Sequence, residues 1–343
     1  MKPKDWAQEK RTLGTTAGGS TYMLTLPKAW VEHFKLEKGH QLTLSLVGRG
    51  VYLNLDKTED APSKSTKLHI DEALQGEALV RTLISRYIAG FNVLEISGAI
   101  TAEQREDIRQ TVQRLIGAEI LQETGEFTLI HILRDPHVLS VNQLLDYISE
   151  NVAGMLRDIP GCLRADQGER ALSVIQRDER VDRFFLLMSR RLYAALRNPL
   201  AEVAHKISRV NFFNTHNVAR QLERVADHAV KIAQVAQALL EEHIKVPQEM
   251  QDLVQKTSQE AEAFLRQVMK AFLDFDAAAA HQALATKPKL EKHITQLDKQ
   301  VLDLNNSYLA YHLGIAVDSI GRVKDYAANI AEVALNAAAL QDQ

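Results

Sequence analysis

The chain has 343 residues, 45% of them hydrophobic and 25% charged, with a formal net charge of −3. This excludes a disordered chain and a molecule that binds nucleic acid through its overall charge, and it leaves material for two or three domains with their own cores. One cysteine, Cys162, excludes a disulfide scaffold, and neither a signal-peptide start nor a run approaching the roughly 20 apolar residues of a membrane span is visible, so a cytoplasmic protein is expected.

Charge is uneven along the chain. Met1 to His40 carry seven lysines and arginines against four acids, a local +3, so only this end has the sign to attract phosphate. The same end reads as β-rich. Thr21 to Leu26, Leu42 to Val47 and Val51 to Leu55 alternate in polarity, with a turn at Gly48-Arg49-Gly50. Between the first two runs, Pro27 to Phe34 reads as one or two helical turns closed by Leu36-Glu-Lys-Gly39. Strands this short cannot bury a core alone, and an intertwined homodimer is the natural expectation.

The order Gly18-Gly-Ser-Thr-Tyr-Met-Leu-Thr-Leu-Pro27-Lys28-Ala-Trp30, Leu36-Glu-Lys-Gly39-His-Gln-Leu and Val51-Tyr-Leu-Asn-Leu55 resembles the swapped-hairpin AbrB/SpoVT family of dimeric DNA-binding domains. The resemblance implies a dimerisation domain over residues 1–58. It makes Arg11, Ser20, Thr21 and Lys28 the positions that would reach phosphates. Domains of this shape also serve as plain dimerisation modules, so DNA contact and dimerisation alone both stand.

A polar linker, Lys57 to Lys64, leads into residues 65–134. Strands are expected at Lys67 to Ile70, Asn92 to Ile96, Ala118 to Glu123 and Phe127 to Leu133. Helices are expected at Asp71 to Ala89, closed by Gly90, and from a capping signature at Thr101-Ala-Glu-Gln104 to Ile116. The alternation argues for a small α/β or α+β sandwich. It holds no phosphate loop, nucleophile elbow or His/Cys cluster. Its arginines Arg81, Arg86 and Arg114 read as solvated surface, with a ligand or subunit contact as the sharper alternative.

From Asp135-Pro136 onward the pattern is helical: Val138 to Ile159, Glu169 to Arg197, Leu200 to Glu242, Gln248 to Asp274, Asp276 to Ala310 and Leu313 to Leu340. Breaks are expected at Pro160-Gly161, Asn198-Pro199, Pro247 and Gly314, and Pro288 should kink or divide the fifth helix. Alanine runs at Ala277 to Ala280 and Ala337 to Ala339 favour close helix approach. Two sets of three helices make two tandem bundles, residues 138–243 and 247–343. The expected whole is multidomain: a small swapped-hairpin β domain, a small α/β domain, and an all-α tandem pair of three-helix bundles.

The two helical halves repeat one motif. Glu223-Arg-Val-Ala-Asp227-His-Ala-Val-Lys-Ile232 returns as Gly321-Arg-Val-Lys-Asp325-Tyr-Ala-Ala-Asn-Ile330, a spacing of 98 residues (325 − 227). On a preceding helix, Asp178-Glu-Arg-Val-Asp182 corresponds to Lys287-Pro-Lys-Leu-Glu291, a spacing of 109 (291 − 182). Carboxylates four residues apart share one helix face. If Asp178 and Asp182 face Glu223 and Asp227, four anions converge and either take up protons or hold a cation through oxygen ligands. The second copy keeps only Glu291 and Asp325, since Lys287 and Gly321 replace the other two, so one metal cluster is expected and not two.

The bland reading is that Arg177, Arg180, Arg220 and Arg224 pair with these acids as ordinary surface ion pairs. His228 points off the acidic face and reads as a packing or surface histidine. His205 and His216 have no acid or cysteine that would complete a zinc pair.

Glu223 to Ile232, its echo Gly321 to Ile330, and Asp178 to Asp182 resemble the PhoU family of phosphate-signalling proteins over about Leu139 to Leu340. The resemblance implies tandem three-helix bundles whose acidic pairs bind iron, zinc, manganese or related metals such as magnesium. With the N-terminal part, the chain resembles fused phosphate uptake regulators typical of archaea. It implies negative regulation of phosphate uptake through a transporter, a signalling partner or DNA. A non-enzymatic homodimeric regulator is therefore expected. A metal-dependent phosphohydrolase using Asp178, Asp182, Glu223 and Asp227 to activate water is the alternative, although no general base or phosphate clamp stands at useful spacing. A scaffold with neither metal nor DNA is a third reading.

Overall fold

The structure, a computed structural model, describes residues 10–16, 18–19, 21–47, 50–55, 64–133, 139–164, 168–198 and 207–341. The expected turn at 48–49, the linker at 57–63, the Asp135-Pro136 boundary with Val138, the Pro199 break, the start of the helix expected from Leu200, and His205 lie outside these residues. The chain divides into two compact units, Met1–Ala61 and Pro62–Gln343.

In the first unit β1 (Gly14–Thr15) pairs antiparallel with β2 (Tyr22–Met23), α1 spans Lys28–His33, and β3 (Leu42–Val47) pairs antiparallel with β4 (Gly50–Leu55). The strand expected over Thr21 to Leu26 shrinks to two residues because only Tyr22 and Met23 find partners, Thr15 and Gly14. Leu44 and Leu46 on β3 are 66% and 74% exposed, and Val51 on β4 is 65% exposed. The register sets Leu44, Leu46 and Val51 on one face of the hairpin, and that apolar face is largely uncovered within this unit.

The second unit begins with a four-stranded sheet in the order β5-β6-β8-β7: β5 (Ser65–His69), β6 (Val93–Ser97), β7 (Ala118–Glu123) and β8 (Phe127–Ile132). β5 and β6 run parallel because α2 (Gly76–Ile88) crosses between them, and the other pairs are antiparallel. Helix α3 (Ala102–Arg114) starts in the expected capping box: Thr101 Oγ1 accepts from the Gln104 amide and Gln104 Oε1 from the Thr101 amide. Gln104 also donates to the carbonyls of Asp71 and Leu74, which ties α3 to the turn before α2 and ends the expected Asp71 helix start in favour of Gly76. At Gly98, φ is +133° and a Cβ would lie 2.1 Å from the Ile70 carbonyl oxygen, so only glycine fits. Leu79, Leu83, Tyr87, Leu94, Ile96, Ile108 and Ile130 form the core of this part.

The helical part comprises α4 (Val141–Cys162), α5 (Gly168–Arg197), α6 (Arg209–Glu241), α7 (Gln248–Leu273), α8 (Ala277–Leu284), α9 (Lys287–Leu302) and α10 (Ser307–Ala339). Its buried side chains form one continuous core from Val141 on α4 to Ala337 on α10. Neighbouring helices run antiparallel: Tyr147 stacks on Phe184 while Asp158 pairs with Arg177, and Arg157 and Arg266 of α4 and α7 meet Glu262 and Glu150 in reversed order. Helices α6 and α10 carry the repeated motif and pack on each other, with His228 5.7 Å from Tyr326 between ring centres. These two occupy equivalent positions in the repeat (326 − 228 is again 98), so the halves meet through their matching faces.

Two expected helix breaks are corrected. Helix α4 continues through Pro160 to Cys162, since the proline removes one backbone hydrogen bond in the last turn while Pro160, Gly161, Cys162 and Leu163 are all buried. Gly314 lies inside α10, whose start moves back to Ser307 because the Asn306 side chain accepts from the Leu309 amide at 3.0 Å. Burial of Leu309, Leu313, Val317 and Ile320 outweighs the roughly 1 kcal/mol that glycine costs in a helix. Pro288 does divide the fifth helix, sitting in the first turn of α9 after the separate α8.

Candidate functional site

The four acids of the first half sit on two facing helices. On α5, Val174, Val181 and Met188 are fully buried and fix which face meets the core, leaving Asp178 and Asp182 side by side at the edge of that face. On α6, Leu222, Val225, Ala226 and Ala229 are fully buried and set Glu223 and Asp227 likewise. Phe185 on α5 lies against His216 and Arg220 of α6, and Ser189 Oγ lies 2.9 Å from His216 Nε2. The acids are therefore one to two turns further along the same antiparallel seam.

Their ionisation records this proximity. Burial pushes the Asp178 carboxyl up to about 7, helped by Asp182, Asp227 and Glu223, with Arg114 opposing. Burial also raises Glu223 to about 7, with Asp227 and Asp182 adding to it against Arg220 and Arg224. Asp182 is raised by burial despite Arg114, and Asp227, exposed at the rim, is raised by partial desolvation and then by Asp182. Asp178 Oδ1 is buried and accepts no hydrogen bond. Desolvation is the largest cause of all four shifts, and like charge adds to it, from the other acids of the groove at Asp178, Glu223 and Asp227 and from Glu179 at Asp182.

Among the described ion pairs, none joins Arg177, Arg180, Arg220 or Arg224 to any of the four acids. Arg177 pairs with Asp158 at 2.8 Å, Arg220 lies over the Phe185 ring at 5.7 Å, and Arg224 lies over Tyr326 at 5.5 Å. Among the described residues, the cation that pairs with one of these acids comes from elsewhere: Arg114 Nη2, at the end of α3, lies 2.7 Å from Asp182 Oδ2. Arg114 is exposed, as expected of a solvated surface residue, and adds this one pairing. Nothing local to Arg114 in the sequence signals this contact, which spans 68 residues.

Hard carboxylate oxygens, mutual repulsion and one orphaned oxygen fit a divalent cation in charge and in donor chemistry. The side chains as they stand do not close around a point: among the described residues no three Asp, Glu, His or Cys groups are gathered at metal-ligating spacing.

The second half differs. Lys324 is buried and pairs with Glu291, and its Nζ is 3.4 Å from Asp325 Oδ1. Lys287 Nζ is 3.7 Å from the same oxygen. Glu291 and Asp325, the weaker metal candidates, are thus provided with ammonium groups from the chain itself. Lys324 went unremarked in the sequence although it stands where the first copy has Ala226 (324 − 98).

His228 is buried against Tyr326, and desolvation lowers its pKa; His216 is buried and lowered to about 4. Both are core groups. Of the DNA candidates, Arg11, Thr21 and Lys28 are exposed, Lys28 lying 3.6 Å from Glu32, while Ser20 lies outside the described residues. Among the described residues no helix is long and apolar enough to cross a membrane.

A PhoU domain model matches residues 145–236, from α4 through most of α6. No curated protein matches the chain. Among solved structures the chain is similar to PhoU from Pseudomonas aeruginosa, at 19% identity and a TM-score of 0.52, covering 59% of this chain and 96% of that one. It is also similar to the phosphate transport system regulatory protein PhoU from Streptococcus pneumoniae, at 18% identity and a TM-score of 0.49, covering 57% of this chain and 92% of that one. The helical part of this chain therefore has the fold of the Pseudomonas PhoU, and the PhoU domain model matches within its first trio.

Proposed function

We propose that this chain is a non-enzymatic regulator of phosphate uptake whose first helical trio binds a divalent or trivalent metal such as iron, zinc, manganese or magnesium. The observation that carries the metal half is the orphaned Asp178 oxygen among four carboxylates, with Asp182, Asp227 and Glu223 raising the pKa of Asp178, and Asp227 and Asp182 raising that of Glu223. Asp178, Asp182, Glu223 and Asp227 would hold the ion, which would neutralise the groove and tie α5 to α6. The phosphate half rests on the PhoU domain over residues 145–236 and on the shared fold. A transporter or signalling partner at the membrane is the target that follows from this reading.

The N-terminal unit is proposed as an AbrB-like homodimer, with DNA as a further partner through Arg11, Ser20, Thr21 and Lys28. Support comes from the uncovered Leu44, Leu46 and Val51, and from a cavity of about 380 Å³ lined by Trp30, Phe34, Leu42, Tyr52 and Leu53 that a second hairpin would fill.

Metal analysis of protein purified without chelator, alongside phosphate uptake by cells lacking the chain, tests the proposal. Bound metal that is lost on Asp178→Asn, and uptake that stays high in phosphate-rich medium, are expected. Unchanged uptake would remove the regulatory reading, and metal-dependent phosphatase turnover would replace it with the hydrolase.

A further inference from the structure

We propose that the first helical trio holds a further site, distinct from the acidic groove: a cavity at the N-terminal ends of α4 and α6 that binds a small oxyanion still carrying a proton, such as inorganic phosphate. The inference uses no metal and stands apart from the regulatory reading.

The cavity, of about 380 Å³, is lined by Ser140, Asn142, Ser208, Asn211, Asn214 and Thr215, with Phe272 and Phe275 on its apolar side. Helices α4 and α6 both run antiparallel to α5, so their first turns lie at the same end of the trio. Ser140 caps α4 through the Gln143 amide and Ser208 caps α6 through the Asn211 amide, each at 3.1 Å. The amides of Val141 and Asn142, ahead of Gln143, have no carbonyl within the helix, and both helices present their positive dipole ends here. Among the described residues no charged side chain lines the cavity, so an anion meets donors and dipoles without a carboxylate to repel it.

Two side chains on this face of α6 are left incomplete. Asn214 is 9% exposed, and its Nδ2 is buried and donates to nothing. Asn211 Oδ1, three residues earlier and on the same face, is buried and accepts nothing. Thr215 is satisfied, its Oγ1 donating to the Asn211 carbonyl at 2.8 Å. Buried polar atoms without partners are rare, because each has given up its bonds to water.

The duplicated half shows that packing does not require these groups. Ser208 and Asn306 are equivalent N-caps, 98 residues apart (306 − 208), each accepting from the amide three residues on. In that register Asn211 and Thr215 correspond to Leu309 and Leu313, both buried, and Asn214 corresponds to His312. Helix α10 packs with leucine where α6 sets an amide and a hydroxyl. The orphaned pair also selects the ligand: Asn214 Nδ2 donates to an unprotonated oxygen, and Asn211 Oδ1 accepts from a protonated one. At neutral pH phosphate offers both, whereas sulfate offers acceptors alone.

The test is calorimetric titration of sodium phosphate, and separately of sodium sulfate, into the full chain, Asn214→Leu and Asn211→Leu. Phosphate should bind the wild type, and bind Asn214→Leu at least about tenfold more weakly, the loss of one hydrogen bond to a charged group. Sulfate should bind the wild type at least about tenfold more weakly than phosphate does, and Asn211→Leu should narrow that gap. Should a variant misfold, wild-type protein carrying isotope-labelled asparagine reads the same contact, since the Asn214 side-chain amide resonance should move when phosphate is added at constant ionic strength. A resonance that stays in place, equal phosphate affinity in wild type and Asn214→Leu, or sulfate bound as tightly as phosphate overturns the proposal. No binding of phosphate by the wild type also overturns it, and leaves the regulation of uptake to its own experiment.

Discussion

Lys287 Nζ lies 3.7 Å from Asp325 Oδ1, and these residues hold in the second half the positions of Asp178 and Asp227 in the first. One half thus meets its carboxylate with an ammonium from the facing helix, and the other sets two anions against each other. The duplication has kept the helix pair and reversed the electrostatics of its groove. Metal content should follow: Glu223→Gln is expected to lower it, while Glu291→Gln leaves it unchanged, as read by plasma emission analysis of protein loaded with manganese.

Lys324 tests the self-neutralised half directly. It is 8% exposed and lies against Glu291 and Asp325, each about half exposed. Lys324→Met, which keeps the stem and removes the charge, is expected to cost about 1–2 kcal/mol in urea denaturation, less than for a fully buried pair because water reaches both carboxylates. An unchanged midpoint would show that the ammonium has no role in stability.

The first half should have the opposite charge dependence. Asp178 and Glu223 titrate near 7 in the folded protein, well above unfolded carboxylates. The native state therefore binds more protons than the unfolded state between about pH 4 and 7, and metal-free stability falls as pH rises through that window. Asp178→Asn should stabilise the metal-free protein at pH 8 by about 1–2 kcal/mol, a figure reduced for solvent screening, and do little at pH 4. Thermal unfolding at the two pH values decides it, and a destabilised variant at pH 8 would contradict the repulsion described for the groove.

In the N-terminal unit, Leu46 on β3 is 74% exposed. If a second copy covers it, Leu46→Asp should weaken dimerisation at least about tenfold, roughly the 1.5–3 kcal/mol of one buried leucine. Light scattering across a dilution series gives the answer, and an unaltered dimer would place the interface elsewhere.

Arg190 joins α5 to the end of α2 through two carbonyls. Arg190→Ala is expected to cost about 2–4 kcal/mol, because buried carbonyls lose a charged donor. Chemical denaturation of the full chain measures this, and a cost below about 0.5 kcal/mol would mean that other contacts carry the junction.

Periodicity and capping are local, and they placed the elements well: the Thr101-x-x-Gln104 box starts α3, and Pro288 divides the fifth helix. Where the sequence misled, at Pro160 and Gly314, burial of the surrounding apolar side chains outweighed a local preference. The acidic seam was legible too, because four-residue spacing on two helices of one repeat fixes which side chains share a face. What only the tertiary structure decided is which cation meets which acid. Arg177 stands next to Asp178 yet pairs with Asp158, while Arg114, from a different layer of the molecule, reaches Asp182. Ion pairing acts through space over a few ångströms, so it follows the packing of α3 and α4 against α5 and leaves no mark in the order of residues.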